Sequence, residues 1–334
     1  MALWLKENAQ DSDIVVSTRA RLARNMAGIP FSHKIQGTAA AQQVKAAAEA
    51  CFLGNGKDFT KSEMRELSVV ERNRLIEQHL ASRELCGSAD GELILSPDQS
   101  VSIMVMEEDH YRLQYLKSGF DPEEAYTVCK EMERMLSSEV DYAYHNRLGY
   151  LSACPTNVGT GLRIGVMVHL RGLAMAKSVD TVLSGLAQYG LTARGIYGEG
   201  TSPVADFYQI SNQIKLGVSE ADVVKNIRQV VGRLINQERE VRQILYKNNK
   251  LEIEDSVMRA YGILKHARKI SSKEACQYLS MLAMGISLDI LHPCTQETVY
   301  RLIMDTMPAM LAGNQDTPAQ RDVNRAEMIR NTLN

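Results

Sequence analysis

The decapeptide Cys154–Arg163, CPTNVGTGLR, is the stretch on which the reading of the fold turns. Upstream, Tyr150–Cys154 reads as a strand end. Val158–Gly161 is a glycine-bearing turn, and from about Leu162 to Lys177 the pattern predicts a helix. A strand, a glycine turn and a helix start leave free backbone N–H groups and a positive macrodipole end at one spot, which favours an anion. Arg163 adds a full charge there. Cys154, near arginines, is a candidate thiolate. A buried core thiol accounts for it equally well.

Three more clusters and one histidine carry chemistry. In Val16–Leu22, VSTRARL, Arg19 and Arg21 alternate, so an extended backbone puts both on one face. Two guanidinium forks side by side suit phosphate oxygens, although a surface strand with two arginines is common. Met106–Arg112, MEEDHYR, sets Glu107, Glu108 and Asp109 in a row. Adjacent carboxylates repel one another unless a cation sits among them. A substrate guanidinium would serve, and so would Arg112; a solvated acidic turn is the plainer alternative. Arg194–Gly200, RGIYGEG, reads as a loop able to close over a ligand, or as an ordinary turn. His79 is the weakest signal, since a lone histidine is more often structural.

Bulk properties narrow the classes. At 334 residues the chain has room for one large or two ordinary domains. A formal net charge of −2 gives no global basic field for nucleic acid or anionic lipid, so an anion site must be a local arginine cluster. Six scattered cysteines, without a CxxC pair or a Cys/His comb, argue against structural zinc and against a secreted disulfide frame. The first residues, MALWLKENAQDSD, do not read as a signal peptide, and no apolar stretch approaches the roughly 18 residues that cross a bilayer. The expectation is a soluble cytoplasmic protein with no direct nucleic-acid or membrane partner. Gly54–Lys57 is too short for a phosphate-binding Walker loop and lacks the following hydroxyl residue. Protein-kinase HRD and DFG signatures are missing too. If ATP binds, arginines hold its phosphates, and no metal ligand set is expected from the protein.

Elsewhere Gly91–Met106 reads as a hairpin, and Asp121–Glu124 as a helix start with an acidic N-cap and Pro122 behind it. Ala193–Gly200 is a short strand and turn before the mixed run Phe207–Leu216. From Ser219 the pattern is helical throughout: Ser219 with Asp222 resembles a capping box, and the helix they open runs to about Lys247. Asn248–Lys250 breaks it, four helical segments follow, and Gly313–Gln320 links to the last of them. The expectation is an α+β catalytic domain over residues 1–247 and a smaller all-α domain over 248–334.

Together these clusters resemble the guanidino (phosphagen) kinase family, which includes arginine and creatine kinases. Its signatures look like S-[ST]-R-x-R, N-E-E-D-H-x-R and C-P-[ST]-N-x-G-T-G-x-R, then R-G-x-x-G-E. All four are found here in that order, the second with Met106 in place of its Asn. CPTNVGTGLR, RGIYGEG and YQISNQIKLG, with RDVNRA near the C-terminus, resemble the bacterial protein arginine kinase branch across essentially the whole chain. The resemblance implies an antiparallel sheet flanked by helices, with ATP and Mg2+ as the phosphoryl donor. It implies ATP contacts from Ser17, Thr18, Arg19, Ala20, Arg21, His79, Arg112, Arg163, Ile164, Gly165, Val166 and Met167, and from Arg194, Gly195, Ile196, Tyr197, Gly198 and Glu199. Glu108 and Glu199 would hold and deprotonate a substrate guanidinium, with Glu107 and Cys154 beside it. Arg321, Asp322, Arg325 and Ala326 match the branch's phosphoarginine-binding motif.

The implied partners are proteins with exposed arginines, a zinc-binding activator protein, a Clp-type chaperone-protease and further copies of the chain as a homodimer or larger homo-oligomer. The implied setting is stress response and marking of proteins for degradation. Two departures stand out. Met106 replaces the pattern's Asn, and Thr201–Ser202 follows the glycine loop where relatives often carry Ser-Glu. Small-molecule members of the family carry a helical domain before the first arginine pair. Arg19 and Arg21 lie so early here that no such lid is expected, and an open site suits an arginine on a polypeptide. A kinase of a free guanidino metabolite and a non-catalytic phosphoarginine-binding adaptor are the alternatives; Glu108, Cys154 and Glu199 are all present, which counts against the latter.

Overall fold

The computed structural model describes residues 3–54, 58–195, 205–313 and 317–333. Among the described residues, ten strands run through the first two thirds: β1 Val15–Arg24, β2 Thr60–Glu63, β3 Glu92–Leu95, β4 Val101–Val105, β5 Tyr111–Ser118, β6 Tyr144–His145, β7 Gly149–Tyr150, β8 Leu162–His169, β9 Leu191–Gly195 and β10 Phe207–Asn212. Eight form one antiparallel sheet in the order β2-β3-β4-β5-β1-β8-β10-β9, while β6 and β7 pair separately. Helices α1 Ala39–Leu53, α2 Val69–Glu77, α3 Arg83–Gly87, α4 Pro122–Leu136, α5 Arg171–Met175 and α6 Val179–Gly185 intervene. The long α7 Glu220–Asn248 is followed by α8 Lys250–His266, α9 Ser272–Ser287, α10 Gln296–Asp305 and α11 Pro318–Leu333.

The hairpin is β3 and β4, and α4 starts at Pro122 with Asp121 accepting the Glu124 N–H. The capping box at Ser219 and Asp222 opens α7 with both reciprocal hydrogen bonds present. One expectation is overturned. Leu162–His169 is a central strand between β1 and β10, not the first half of a helix, and the following helix α5 has five residues. The β-branched Ile164, Val166 and Val168 alternate with Arg163, Gly165 and Met167, which is a period of two. The helical reading mistook a strand buried on both faces for a buried helix, an ambiguity inherent in short apolar runs. The helix macrodipole invoked at this turn is therefore missing, and any anion there must be met by side chains.

That alternation divides the sheet. Ala20, Leu22, Leu113, Ile164, Val166 and Ile210 lie in one core with Ala48 of α1, Cys129 of α4 and Ile227 of α7. The other face carries Arg19 and Arg21 of β1, with Arg163 directly opposite Arg21 and Gly165 opposite Arg19. Arg112 of β5 is opposite Ala23 on the same face. Further along it, Leu116, Met167 and Phe207 join a second core with Leu264, Leu279, Leu302 and Ile329 of the C-terminal helices, and with Trp4. The helical tail thus packs on the same face of the sheet as the arginines.

The turn before β8 is shaped by close approach. A side chain at Gly159 (φ 116°) would put its Cβ 2.2 Å from the Lys215 carbonyl oxygen, and one at Gly161 (φ 63°) would put it 2.6 Å from an Arg24 guanidinium nitrogen. Arg24 is wholly buried; it donates to the Thr160 carbonyl at 2.9 Å and to Glu220 at 3.1 Å, pairs with Glu133, and stacks 3.4 Å from the Tyr150 ring centre. It ties the turn to α4 and to the start of α7.

Candidate active site

A cavity of about 440 Å³ opens on the arginine face of the sheet. Arg19, Arg21, Arg112, Arg163 and Arg194 all line it, from β1, β5, β8 and β9. Like charges this close repel. Burial, then Arg112 and Arg163, pull the Arg19 guanidinium down to about 9, and burial with Arg19 and Arg112 pulls Arg21 well below its ordinary value. Both arginines also bury an Nε that has no hydrogen-bond partner among the described residues. Guanidiniums gathered in this way fit a polyanion. Arg163 is held in place by Ser211, whose Oγ accepts from Nε at 3.2 Å and from a terminal nitrogen at 2.9 Å.

His79 follows α2 with a left-handed backbone (φ 62°), and its carbonyl accepts the Gln114 amide at 2.8 Å. Burial and the neighbouring Arg19 and Arg21 push its imidazole down to about 3, so the ring faces the cavity neutral. The carboxylates of the β4–β5 loop separate by role. Glu107 is buried and accepts from Arg112 and from Ser82 Oγ. Asp109 is buried as well; it accepts from Asn25 and from the Ala153 N–H at 2.7 Å each, and from Ser152 Oγ at 2.7 Å. It thereby fixes the segment leading into Cys154. Glu108 alone of the three is exposed, and no hydrogen bond ties it to the described residues. Its carboxyl is raised, first by desolvation and then by Glu107 and Glu84. Cys154 is half-buried on the cavity wall with its sulfur 3.0 Å from Thr156 Oγ1.

Other expected contacts do not line the cavity. Thr18, Ala20, Ile164 and Val166 are buried, and Thr18 Oγ1 donates to the Gly119 carbonyl. Ser17 is buried, Met167 belongs to the second core, and Gly165 lies beneath the Gln209 side chain. Gly195 does line the cavity, whereas Ile196, Tyr197, Gly198, Glu199 and Thr201–Ser202 lie outside the described residues. Arg321 and Asp322 are half-buried on α11, but Arg325 and Ala326 are buried. Arg325 donates to the Thr306 carbonyl at 2.8 Å, the Ile270 carbonyl at 2.9 Å and Asp322 at 2.6 Å.

The family model for ATP:guanido phosphotransferase, C-terminal catalytic domain, matches residues 40–241. The chain belongs to the ATP:guanido phosphotransferase family. A second model, the protein-arginine kinase McsB C-terminal domain, matches residues 250–334 of this guanido phosphotransferase. The chain is 41% identical to the protein-arginine kinase of Moorella thermoacetica over 338 residues, spanning 99% of this chain and 97% of the relative. It is 39% identical to that of Bacillus subtilis, spanning 100% and 93%. Among solved structures, a lombricine kinase superposes with a TM-score of 0.59 at 27% identity, over 72% of this chain and 70% of that one. The duplicated taurocyamine kinase from Schistosoma mansoni, at 24% identity and a TM-score of 0.60 over 68% of this chain and 33% of its own, shares the fold.

Sequence reading missed Ser82, Arg83, Glu84, Thr156, Asn157 and Gln209, all of which line the cavity. Thr156 and Asn157 belong to the CPTNVGTGLR stretch, so the signal for them is local. Ser82–Glu84 reach the site through the bend after α2, and nothing local in the sequence signals that.

Proposed function

We propose that the chain is a protein-arginine kinase that moves the γ-phosphoryl group of ATP onto the guanidinium of arginine side chains in proteins. The observation that carries this is the pairing, in one cavity, of five converging guanidiniums with a raised carboxylate, Glu108, left without a hydrogen-bond partner among the described residues. The likeness to protein-arginine kinases over nearly the whole length supports the choice of acceptor.

The arginines align the phosphates in line and neutralise charge as it develops, which is most of what phosphoryl transfer needs. Magnesium would ride on the phosphates, since it takes few protein ligands in such sites. Glu108 clamps the acceptor's N–H groups, joined by Glu199 on the family pattern, with Cys154 adding negative charge beside the cation. A guanidinium nitrogen bonds to phosphorus, the bond from phosphorus to the bridging oxygen breaks with its electrons leaving on ADP, and the displaced proton passes to a carboxylate. Glu107, engaged by Arg112 and Ser82, serves mainly to hold Arg112.

By the same family likeness, residues 248–334 form a helical unit in which Arg321 and Asp322 receive phosphoarginine while Arg325 and Ala326 hold the fold around them. A zinc-binding activator, a Clp-type protease, self-association and a cytoplasmic role in stress response and protein turnover belong to this proposal. The test is incubation with ATP and an unrelated arginine-rich protein, followed by mass spectrometry for acid-labile phosphate on arginine. Phosphate on protein arginine bears the reading out. Transfer to free arginine alone, or to neither, overturns it.

A further inference from the structure

Lys215 follows β10 and is 5% exposed. A lysine that buried ordinarily has a carboxylate beside it, yet among the described residues none pairs with this one. Its Nζ instead donates to the Asn157 carboxamide oxygen, and its own carbonyl accepts the Thr160 N–H at 3.0 Å. Lys215 thus grips the turn before β8 at two points, with Gly159 pressed against its carbonyl. An ammonium carries donors only, so it determines which end of the amide it meets. With the oxygen taken, the NH2 of Asn157 is left for the cavity that Asn157 lines.

We propose that Lys215 is a positioning residue for phosphoryl transfer: it holds the Asn157 carboxamide by its oxygen so that the amide NH2 donates to the transferring phosphoryl group. The proposal rests on the phosphotransferase reading above. Among the described residues, Arg163 of β8, Arg21 of β1 and Arg112 of β5 oppose the charge of Lys215, and Cys154 on the turn favours it. Burial and those arginines bring the ammonium down to about 8. A neutral amine no longer discriminates the two ends of the amide, so activity should fall as pH rises through that value, and a bound polyanion should restore the proton.

The experiment uses the full chain, with turnover on a protein acceptor and ATP binding by calorimetry between pH 6.5 and 9.5. K215M should lower kcat at least tenfold while changing the ATP Kd less than threefold. K215R should recover most of the loss and remove the basic limb near pH 8. N157A should match K215M, and the double variant should be no worse than either single one. ATP binding at pH 8, compared in two buffers of different ionisation enthalpy, should take up protons in the wild type and fewer in K215M and K215R. An unchanged kcat in K215M, additive losses in the double variant, or equal proton uptake in all three proteins would overturn the proposal. A wild type that phosphorylates no protein arginine would instead count against the function, and the proton uptake would still decide the place of Lys215 beside the anion.

Discussion

Of the three consecutive acids, two are committed to the protein, Glu107 to Arg112 and Ser82 and Asp109 to the segment before Cys154. Only Glu108 remains to meet a substrate cation. Glu108→Gln should therefore lower turnover about a hundredfold, as for loss of an acid/base group, with ATP affinity within threefold of the wild type. As the proposed base, Glu108 acts ionised, so activity should be present above its pKa and be lost as pH falls through it. Desolvation, Glu107 and Glu84 raise that pKa above the ordinary value of about 4.3. Glu84→Gln should move the acidic limb of the pH–rate profile down, and an unmoved limb would exclude Glu108 as the titrating group. Arg163 makes a different case. It spends two donors on Ser211, which a single ammonium on a flexible stem cannot reproduce in the same geometry. Arg163→Lys is expected to weaken ATP binding at least tenfold by calorimetry, although the charge is kept.

The turn before β8 behaves as one element because distant groups press on it from both sides. Gly161→Ala would have to accept a left-handed backbone and displace the Arg24 guanidinium, which is itself wholly buried and fully engaged. The backbone alone costs about 1–3 kcal/mol, so urea unfolding should show at least that loss, with Arg24→Met relieving the contact in the double variant. The same region shows how far local pattern reaches. The hairpin β3–β4, the start of α4 and the capping box of α7 were legible because their signals lie within a few residues of each other. β8 was not, since its neighbours β1 and β10 lie far away in the chain, and only their pairing distinguishes a doubly buried strand from a helix. The arginine cradle was legible one cluster at a time, but its convergence depends on the register that sets Arg21 opposite Arg163. Met106 is instructive as well. Its φ of 59° lies in the left-handed region where asparagine is tolerated best, which gives a backbone reason for the family pattern's Asn at that position.

At the scale of the whole molecule, the helical tail and the cradle share one sheet face, so the tail is not an independent appendage. Leu264, Leu279 and Ile329 bury themselves against Trp4, Met167 and Phe207, and a segment cut at residue 250 would expose that surface. Glu77 reinforces the joint by accepting the N–H groups of Ala309 and Met310, at 2.9–3.1 Å and 3.0 Å. Arg325, which a helical wheel would pair with Arg321 as a phosphate grip, instead supports the interior carbonyls of Thr306 and Ile270. Arg325→Ala should cost about 3 kcal/mol or more in denaturant unfolding of the full chain, because two buried acceptors and Asp322 lose their donor together. Asp322→Asn should cost much less, which makes it the better probe of phosphoarginine binding in the intact protein. The cradle's makeup has one last consequence. A loop of backbone N–H groups is satisfied by water when its ligand leaves, but crowded guanidiniums draw counterions. Between turnovers the site should take sulfate, pyrophosphate or tripolyphosphate from its surroundings. The apparent affinity for nucleotide then depends on which anion the buffer supplies, and rates measured in phosphate and in chloride at equal ionic strength should differ.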